Sequence, residues 1–226
     1  VSTEHLAAKD EDCQLFFGNS TNLDTANSIF GRRVAIRTKH IQHVHRLNTQ
    51  DSDLVTLTDT GRWVEIMVPT GIGDKHVIVA TLYGISGASD DKQKFVENER
   101  LLNIALARAM QFQDTPYFLI GDINVDPSLS LVVSTCIKTG LITDIARDRA
   151  DNTNHIQPTF RRKGIVPEMD GSGVTRIDAM LTNRAGNLCV DSLEYLWDES
   201  RGYDHLMLNI TLNLDAFTAK ALQLAK

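Results

Sequence analysis

The chain has 226 residues, 42% of them hydrophobic and 23% charged, enough to build a sizeable core as one large domain or two small ones. Its 29 acidic and 23 basic residues give a net charge of −6, which excludes a global basic field for nucleic acid but leaves room for a local one. No apolar run approaches the roughly 18–20 residues of a membrane span and no signal-peptide pattern opens the chain, so a soluble intracellular protein, cytoplasmic or nuclear, is expected. Cys13, Cys136 and Cys189 lie far apart and cannot all pair, which fits a reducing compartment and small buried thiols.

The first residues, Val1–Leu6, read as the end of a strand. Short β-branched or aromatic runs follow at Val34–Ile36, Leu54–Leu57, Trp63–Val68 and Val77–Tyr83, each bounded by turn-forming residues. Asp90–Phe112 then carries Phe95, Leu102, Ala105, Leu106 and Ala109 at helical spacing, with Ser89 or Asp90 as the cap and Asp91 in the first turn. Tyr117–Ile120 is a strand, and Leu129–Thr139 a helix that stops at Gly140. The polar stretches Asp148–Gln157 and Arg161–Gly173 read as surface loops around a further set of strands at Arg176–Leu181, Leu193–Trp197 and Leu206–Leu214. In the last run Leu206, Leu208, Ile210, Leu212 and Leu214 share one face and Met207, Asn209, Thr211 and Asn213 the other, the period of a half-buried strand. A third helix is expected at Ala216–Leu224. Many strands with a few interposed helices predict an α/β sandwich in one domain; the long central helix counts against a pure β-sandwich.

Three constellations stand out. In Leu119-Ile120-Gly121-Asp122-Ile123-Asn124 an apolar strand ends on an acid and an amide two residues apart, which share a face if the backbone stays extended. A carboxylate that accepts a proton from water and a carboxamide that donates to an anion suit a hydrolytic site, while a plain turn uses the same residues. Tyr203-Asp204-His205 precedes the last strand, where it can supply a metal ligand and an acid or base, or simply a solvated loop. Asp178 lies in the otherwise apolar Arg176–Leu181 strand and needs a partner, either Arg176 on the same face or a histidine elsewhere.

Together these motifs resemble the endonuclease/exonuclease/phosphatase superfamily, the four-layer α/β sandwich of deoxyribonuclease I, apurinic endonucleases and LINE-type retrotransposon endonucleases. The matching segments run in the family's order: Glu4 in Thr3-Glu4-His5-Leu6, Tyr83 in Leu82-Tyr83-Gly84, Gly121-Asp122-Ile123-Asn124, Pro158-Thr159-Phe160, Arg176-Ile177-Asp178 and Asp204-His205. The chain departs from the family in carrying Thr before Glu4, Tyr203 where Ser is usual, and Ser86 where many members have a phosphate-contacting Asn. On this resemblance residues 1–214 form the domain, beginning after the family's opening strand, and residues 215–226 a C-terminal helix or linker.

The resemblance implies phosphodiester hydrolysis with Glu4 and Asp204 holding Mg²⁺ or Mn²⁺, hard cations that prefer carboxylate oxygen. It implies that Asp122 orients or deprotonates water, that Asn124 and Ser86 contact phosphate with Arg176, that Tyr83 offers its hydroxyl, and that Asp178 steadies His205. Which of Asp122 and His205 is the base stays open. The Ile123–Pro127 and Arg176–Asn183 runs look most like retroelement endonuclease domains, so DNA is the expected substrate, with a fused or neighbouring reverse transcriptase as a possible partner and no membrane. A small phosphoester substrate, or a catalytically dead binding domain of the same fold, is the alternative.

Other motifs carry less. Gly84-Ile85-Ser86-Gly87-Ala88 lacks the last glycine of a serine-hydrolase elbow. His40, His43 and His45 have spacing that can bind zinc but no nearby cysteine or carboxylate, and Gly171-Ser172-Gly173 lacks the lysine of a phosphate loop. Arg161, Arg162 and Lys163, with Arg32, Arg33, Arg37 and Lys39, can face phosphates.

Overall fold

The computed structural model describes residues 13–17, 35–39, 41, 43–150, 156–161, 174–196 and 204–215. Glu4, the strand expected at Val1–Leu6, the helix expected at Ala216–Leu224 and much of the two polar loops lie outside these residues. The chain divides into two units, Val1–Tyr83 and Gly84–Lys226.

In the first unit β1 (Cys13–Phe17) pairs antiparallel with β2 (Ala35–Lys39), placing Gln14 opposite Thr38. Next come β3 (His45–Arg46), helix α1 (Ser52–Asp59), β4 (Trp63–Pro69) and β5 (His76–Leu82). β3, β4 and β5 form an antiparallel ladder in which Trp63 faces Leu82 and Met67 faces Ile78. Val44, Val64 and Ile66 are its core, with Phe16, Ile36, Val68 and Val79 packed around them.

Helix α1 corrects an expectation, since Leu54–Leu57 was expected to be a strand. The Asp51 carboxylate accepts the N–H groups of Asp53 at 2.9 Å and Leu54 at 3.3 Å, which starts a helix. Leu54 and Leu57, three apart, then fall on its buried side.

The second unit opens with α2 (Lys92–Met110), whose cap is Asp91, accepting from Gln93 N–H at 2.8 Å and Lys94 N–H at 3.1 Å. These bonds stabilise the ionised Asp91 carboxylate and lower its pKa. The cap therefore lies just beyond Ser89 and Asp90. The buried stripe is Asn98, Leu102, Ala105, Leu106 and Ala109. β6 (Tyr117–Asp122), α3 (Leu131–Lys138, capped by Ser130), β7 (Ile142–Asp144) and α4 (Ile145–Asp148) follow. Gly140, with φ of +71°, closes α3 where glycine is the residue that adopts this angle without strain.

The chain then supplies β8 (Phe160–Arg161), β9 (Val174–Thr175), β10 (Asp178–Asn183), α5 (Arg184–Asn187), β11 (Val190–Leu196) and β12 (Met207–Leu212). β10 pairs antiparallel with β6 on one side and β7 on the other, and Ala179 to Asn183 are all buried, as a central strand requires. Asn183 ties its far end down, accepting Tyr117 N–H at 3.1 Å and Gly186 N–H at 2.8 Å while donating to the carbonyls of Phe112 and Thr115. β11 and β12 form a separate antiparallel pair, and β12 alternates as the leucine pattern predicts. Cys136 and Cys189 are buried and in no disulfide among the described residues. The fold is α/β, as expected; among the described residues no helix is long and apolar enough to cross a membrane.

Candidate active site

The register of β6 against β10 sets Asp122 directly opposite Asp178. Directly opposed residues bring their side chains within about 5 Å, so two carboxylates meet where each strand begins or ends. Burial and, next, the Asp178 charge push the Asp122 carboxyl up to about 6, against the pull of His205 and the Asn124 hydrogen bonds.

His205 supplies the partner that Asp178 needs. Its Nδ1 lies 3.1 and 3.0 Å from the two carboxylate oxygens. A carboxylate only accepts, so Nδ1 carries the proton and donates, leaving Nε2 for other chemistry. The hydrogen bond to Asp178 raises the imidazole pKa most; burial opposes it, and the charges of Asp178, Asp122 and Asp204 add to the rise. Asp178 is 17% exposed and His205 36%, so the acid is held while the imidazole reaches solvent.

The segment 159–161 builds this pair. Thr159 is 2% exposed. Its hydroxyl oxygen accepts the N–H groups of Ile177 at 3.1 Å and Asp178 at 2.9 Å, and its carbonyl accepts Leu206 N–H at 2.7 Å. Phe160 bridges to His205 in β fashion, with ring centroids 5.0 Å apart, and Arg161 N–H donates to Asp204 C=O at 2.8 Å. One threonine thus holds the strands of both members of the dyad. In the sequence Thr159 carries no signal beyond its place in the Pro158-Thr159-Phe160 motif.

Asn124 corrects an expectation. Asp122 and Asn124 do not share an extended strand face, because β6 ends at Asp122 and Asn124 has φ of +54°. Asp122 Oδ1 accepts Asn124 N–H at 3.0 Å, closing a turn that asparagine tolerates better than other side chains. The Asn124 carboxamide stays near enough to Asp122 to lower its pKa, yet Nδ2 is buried with no partner in hydrogen-bond geometry among the described residues.

Arg176 does not pair with Asp178. Its guanidinium forks onto Asp144, at 2.8 and 2.5 Å, and the two side chains are 7% and 2% exposed. Expected at the substrate, Arg176 is instead committed to Asp144 in the interior. Asp204 is exposed next to His205. Ser86 is half-buried after Gly84. Tyr83, in the first unit, lies beneath the Arg62 guanidinium, 5.5 Å from its ring centroid; its N–H donates to the Arg62 carbonyl at 3.0 Å and its own carbonyl accepts from the Arg62 guanidinium at 3.0 Å. His43 and His45 are exposed. Among the described residues no group of three or more His, Cys, Asp and Glu side chains is disposed to hold a metal ion. Of the two expected ligands, Asp204 is among the described residues and Glu4 is not.

No protein-family model matches the sequence, and no curated protein sequence matches it. Solved structures do. The endonuclease/exonuclease/phosphatase family protein from Leptotrichia buccalis superimposes with a TM-score of 0.53 at 15% identity, over 90% of this chain and 73% of that one. The catalytic domain of Xenopus laevis APE2 gives 0.58 at 15% identity, over 90% and 77%. The 3′ phosphatase NExo from Neisseria, bound to product DNA hairpin, gives 0.56 at 18% identity, over 93% and 92%. The chain therefore has the α/β fold of endonuclease/exonuclease/phosphatase proteins, as the ordered motifs led us to expect.

Proposed function

We propose that this chain hydrolyses phosphodiesters with a divalent metal ion, as a member of the endonuclease/exonuclease/phosphatase family. The observation that carries the reading is the Asp178-oriented His205 beside a second carboxyl, Asp122, held up to about 6. Phosphodiester hydrolysis needs a water stripped of its proton and donors placed on the phosphate. Above pH 6 Asp122 is ionised and accepts the proton of an attacking water. His205, whose protonated form is favoured by the bond to Asp178, donates from Nε2 to a phosphoryl or leaving oxygen. The buried Asn124 Nδ2, close to Asp122 but without a partner in hydrogen-bond geometry among the described residues, is a donor that an incoming phosphate oxygen would satisfy.

Mg²⁺ or Mn²⁺, held by Asp204 and Glu4, would neutralise charge developing on the phosphate. A carboxylate-poor site completed by water suits Mg²⁺, and the exposed Asp204 carboxylate has the right donor chemistry. In this reading Tyr83 and Ser86 contact phosphate, and Arg176 serves through its pair with Asp144.

Within this class we favour a DNA endonuclease of retroelement type, acting beside a reverse transcriptase domain. The support is the Ile123–Pro127 and Arg176–Asn183 sequences and the basic run Arg161-Arg162-Lys163, which begins at a residue bonded to Asp204. The NExo structure, with its DNA product, shows that this fold can hold DNA. The test is nicking of supercoiled plasmid with Mg²⁺, with EDTA, and by Asp122→Ala. Nicking that needs both metal and Asp122 is expected. Metal-independent nicking, or full activity in Asp122→Ala, would overturn the mechanism. Turnover of bis-p-nitrophenyl phosphate without nicking would move the substrate to small phosphoesters.

A further inference from the structure

Asn98 lies in the middle of α2, on its apolar stripe, and is 0% exposed. An asparagine gains nothing for a helix there and is costly to bury unless both ends of its amide are paired. Both are paired, with backbone groups from outside the helix. Oδ1 accepts Ile85 N–H at 2.8 Å, and Nδ2 donates to Ile123 C=O at 2.9 Å.

These bonds complete a pattern around the turn between Asp122 and Asn124. The peptide unit joining Asp122 to Ile123 has its carbonyl held by Gly84 N–H at 2.7 Å and its N–H held by Ile177 C=O at 2.8 Å. The next unit, joining Ile123 to Asn124, has its carbonyl held by Asn98 and its N–H held by Asp122 Oδ1 at 3.0 Å. Two consecutive peptide planes are thus fixed at both ends. The second plane is one of the two that define the φ of Asn124, an unusual +54°, and the carboxamide of that residue stays close to Asp122. Gly84 permits this close approach. A Cβ there would collide with the Ile123 carbonyl oxygen and stand 2.8 Å from Asn98 Oδ1.

We propose that Asn98 is a positioning residue: its carboxamide fixes the Ile123–Asn124 peptide plane and so aims the Asp122 and Asn124 side chains at the substrate. The inference rests on the hydrolytic reading above. Asn98 itself touches no reacting atom.

The experiment compares Asn98→Ala, which removes both bonds, and Asn98→Asp, which keeps the acceptor for Ile85 and loses the donor to Ile123. Both are assayed on bis-p-nitrophenyl phosphate at a temperature where thermal melts show them folded. In both, kcat should fall about 100-fold with KM within about threefold, since misplacement by about an ångström costs this much. The acid limb of the pH–rate profile should also move. A lower melting temperature with kcat and pH profile unchanged would reduce Asn98 to a structural residue and overturn the proposal. If the unsubstituted protein shows no hydrolysis, the functional reading fails and NMR decides the positioning alone. Asn98→Ala should then change the HN–Hα coupling of Asn124, while an unaltered coupling would refute the clamp. If neither variant folds, solvent exchange of the Asn98 carboxamide protons in the unsubstituted protein answers. Slow exchange supports the clamp, and exchange as fast as in an exposed asparagine overturns it.

Discussion

Two acid–base pairs leave the same short stretch of backbone and meet opposite fates. Arg176 turns to Asp144 and is sealed, the pair being 7% and 2% exposed, with both carboxylate oxygens engaged. Asp178, two residues on, turns to His205 and stops at the surface, 17% and 36% exposed, with the second imidazole nitrogen outside that bond. A sealed pair lies out of a substrate's reach, and its loss leaves an uncompensated charge in the interior. A pair at the boundary keeps one end fixed and one end free. The contrast shows how a single strand can anchor a site and serve it.

The sharpest way to break this contrast is at His205. His205→Ala should lower kcat by roughly 10²–10⁴-fold, the usual worth of a positioned acid or base, with little change in the thermal midpoint. A comparable loss of stability with activity retained would erase the distinction. The sealed pair should behave oppositely. Asp144→Ala leaves the Arg176 charge buried and should cost about 3–5 kcal/mol in urea unfolding, with activity falling only as the folded fraction falls.

Asp122 gives a smaller effect of reversed sign. Its pKa rises from 3.8 to about 6 on folding, so folding disfavours the ionised form. That penalty is absent below pH 3.8, grows between the two values and is complete above 6. Asp122→Asn should therefore stabilise the fold at pH 8 by an amount on the order of 1–3 kcal/mol, shrinking towards zero near pH 4, while activity is lost. Equal stability at both pH values would refute the strained carboxyl. The smallest effect is at Asp178→Asn. His205 is raised above 6.5 chiefly by its bond to Asp178, so its contribution to stability is full below pH 6.5 and is lost as pH rises through the folded value. Removing the carboxylate should bring the imidazole titration, followed by NMR, down towards the ordinary value. An unmoved titration would mean that another group holds the histidine.

The parts of this arrangement visible in the sequence are those with a local signature. Asp122, Asp178 and His205 are polar residues set against apolar strand residues, and the Leu206–Leu214 alternation shows in the burial of β12. The helix Lys92–Met110 is legible from its stripe, although its cap lies a residue or two beyond the one expected. Leu54–Leu57 misleads because four apolar or β-branched residues fit either period, and the deciding signal was the Asp51 cap upstream. The turn at Asn124 is hidden because the rule that residues two apart share a face holds only while the strand lasts. Thr159 and Asn98 act through bonds to backbone groups distant in sequence, such as Asn98 to Ile123, and no periodicity records such bonds.

Asn124 also bears on how selection would act on this chain. Its left-handed backbone is a position where glycine carries no steric penalty, and its buried Nδ2 has no partner in hydrogen-bond geometry among the described residues. In a mutant library selected only for folding, position 124 should drift to glycine; selected for turnover, it should return to asparagine. The two enrichments, read side by side, would show whether that unpaired amide is kept for catalysis or is an accident of descent.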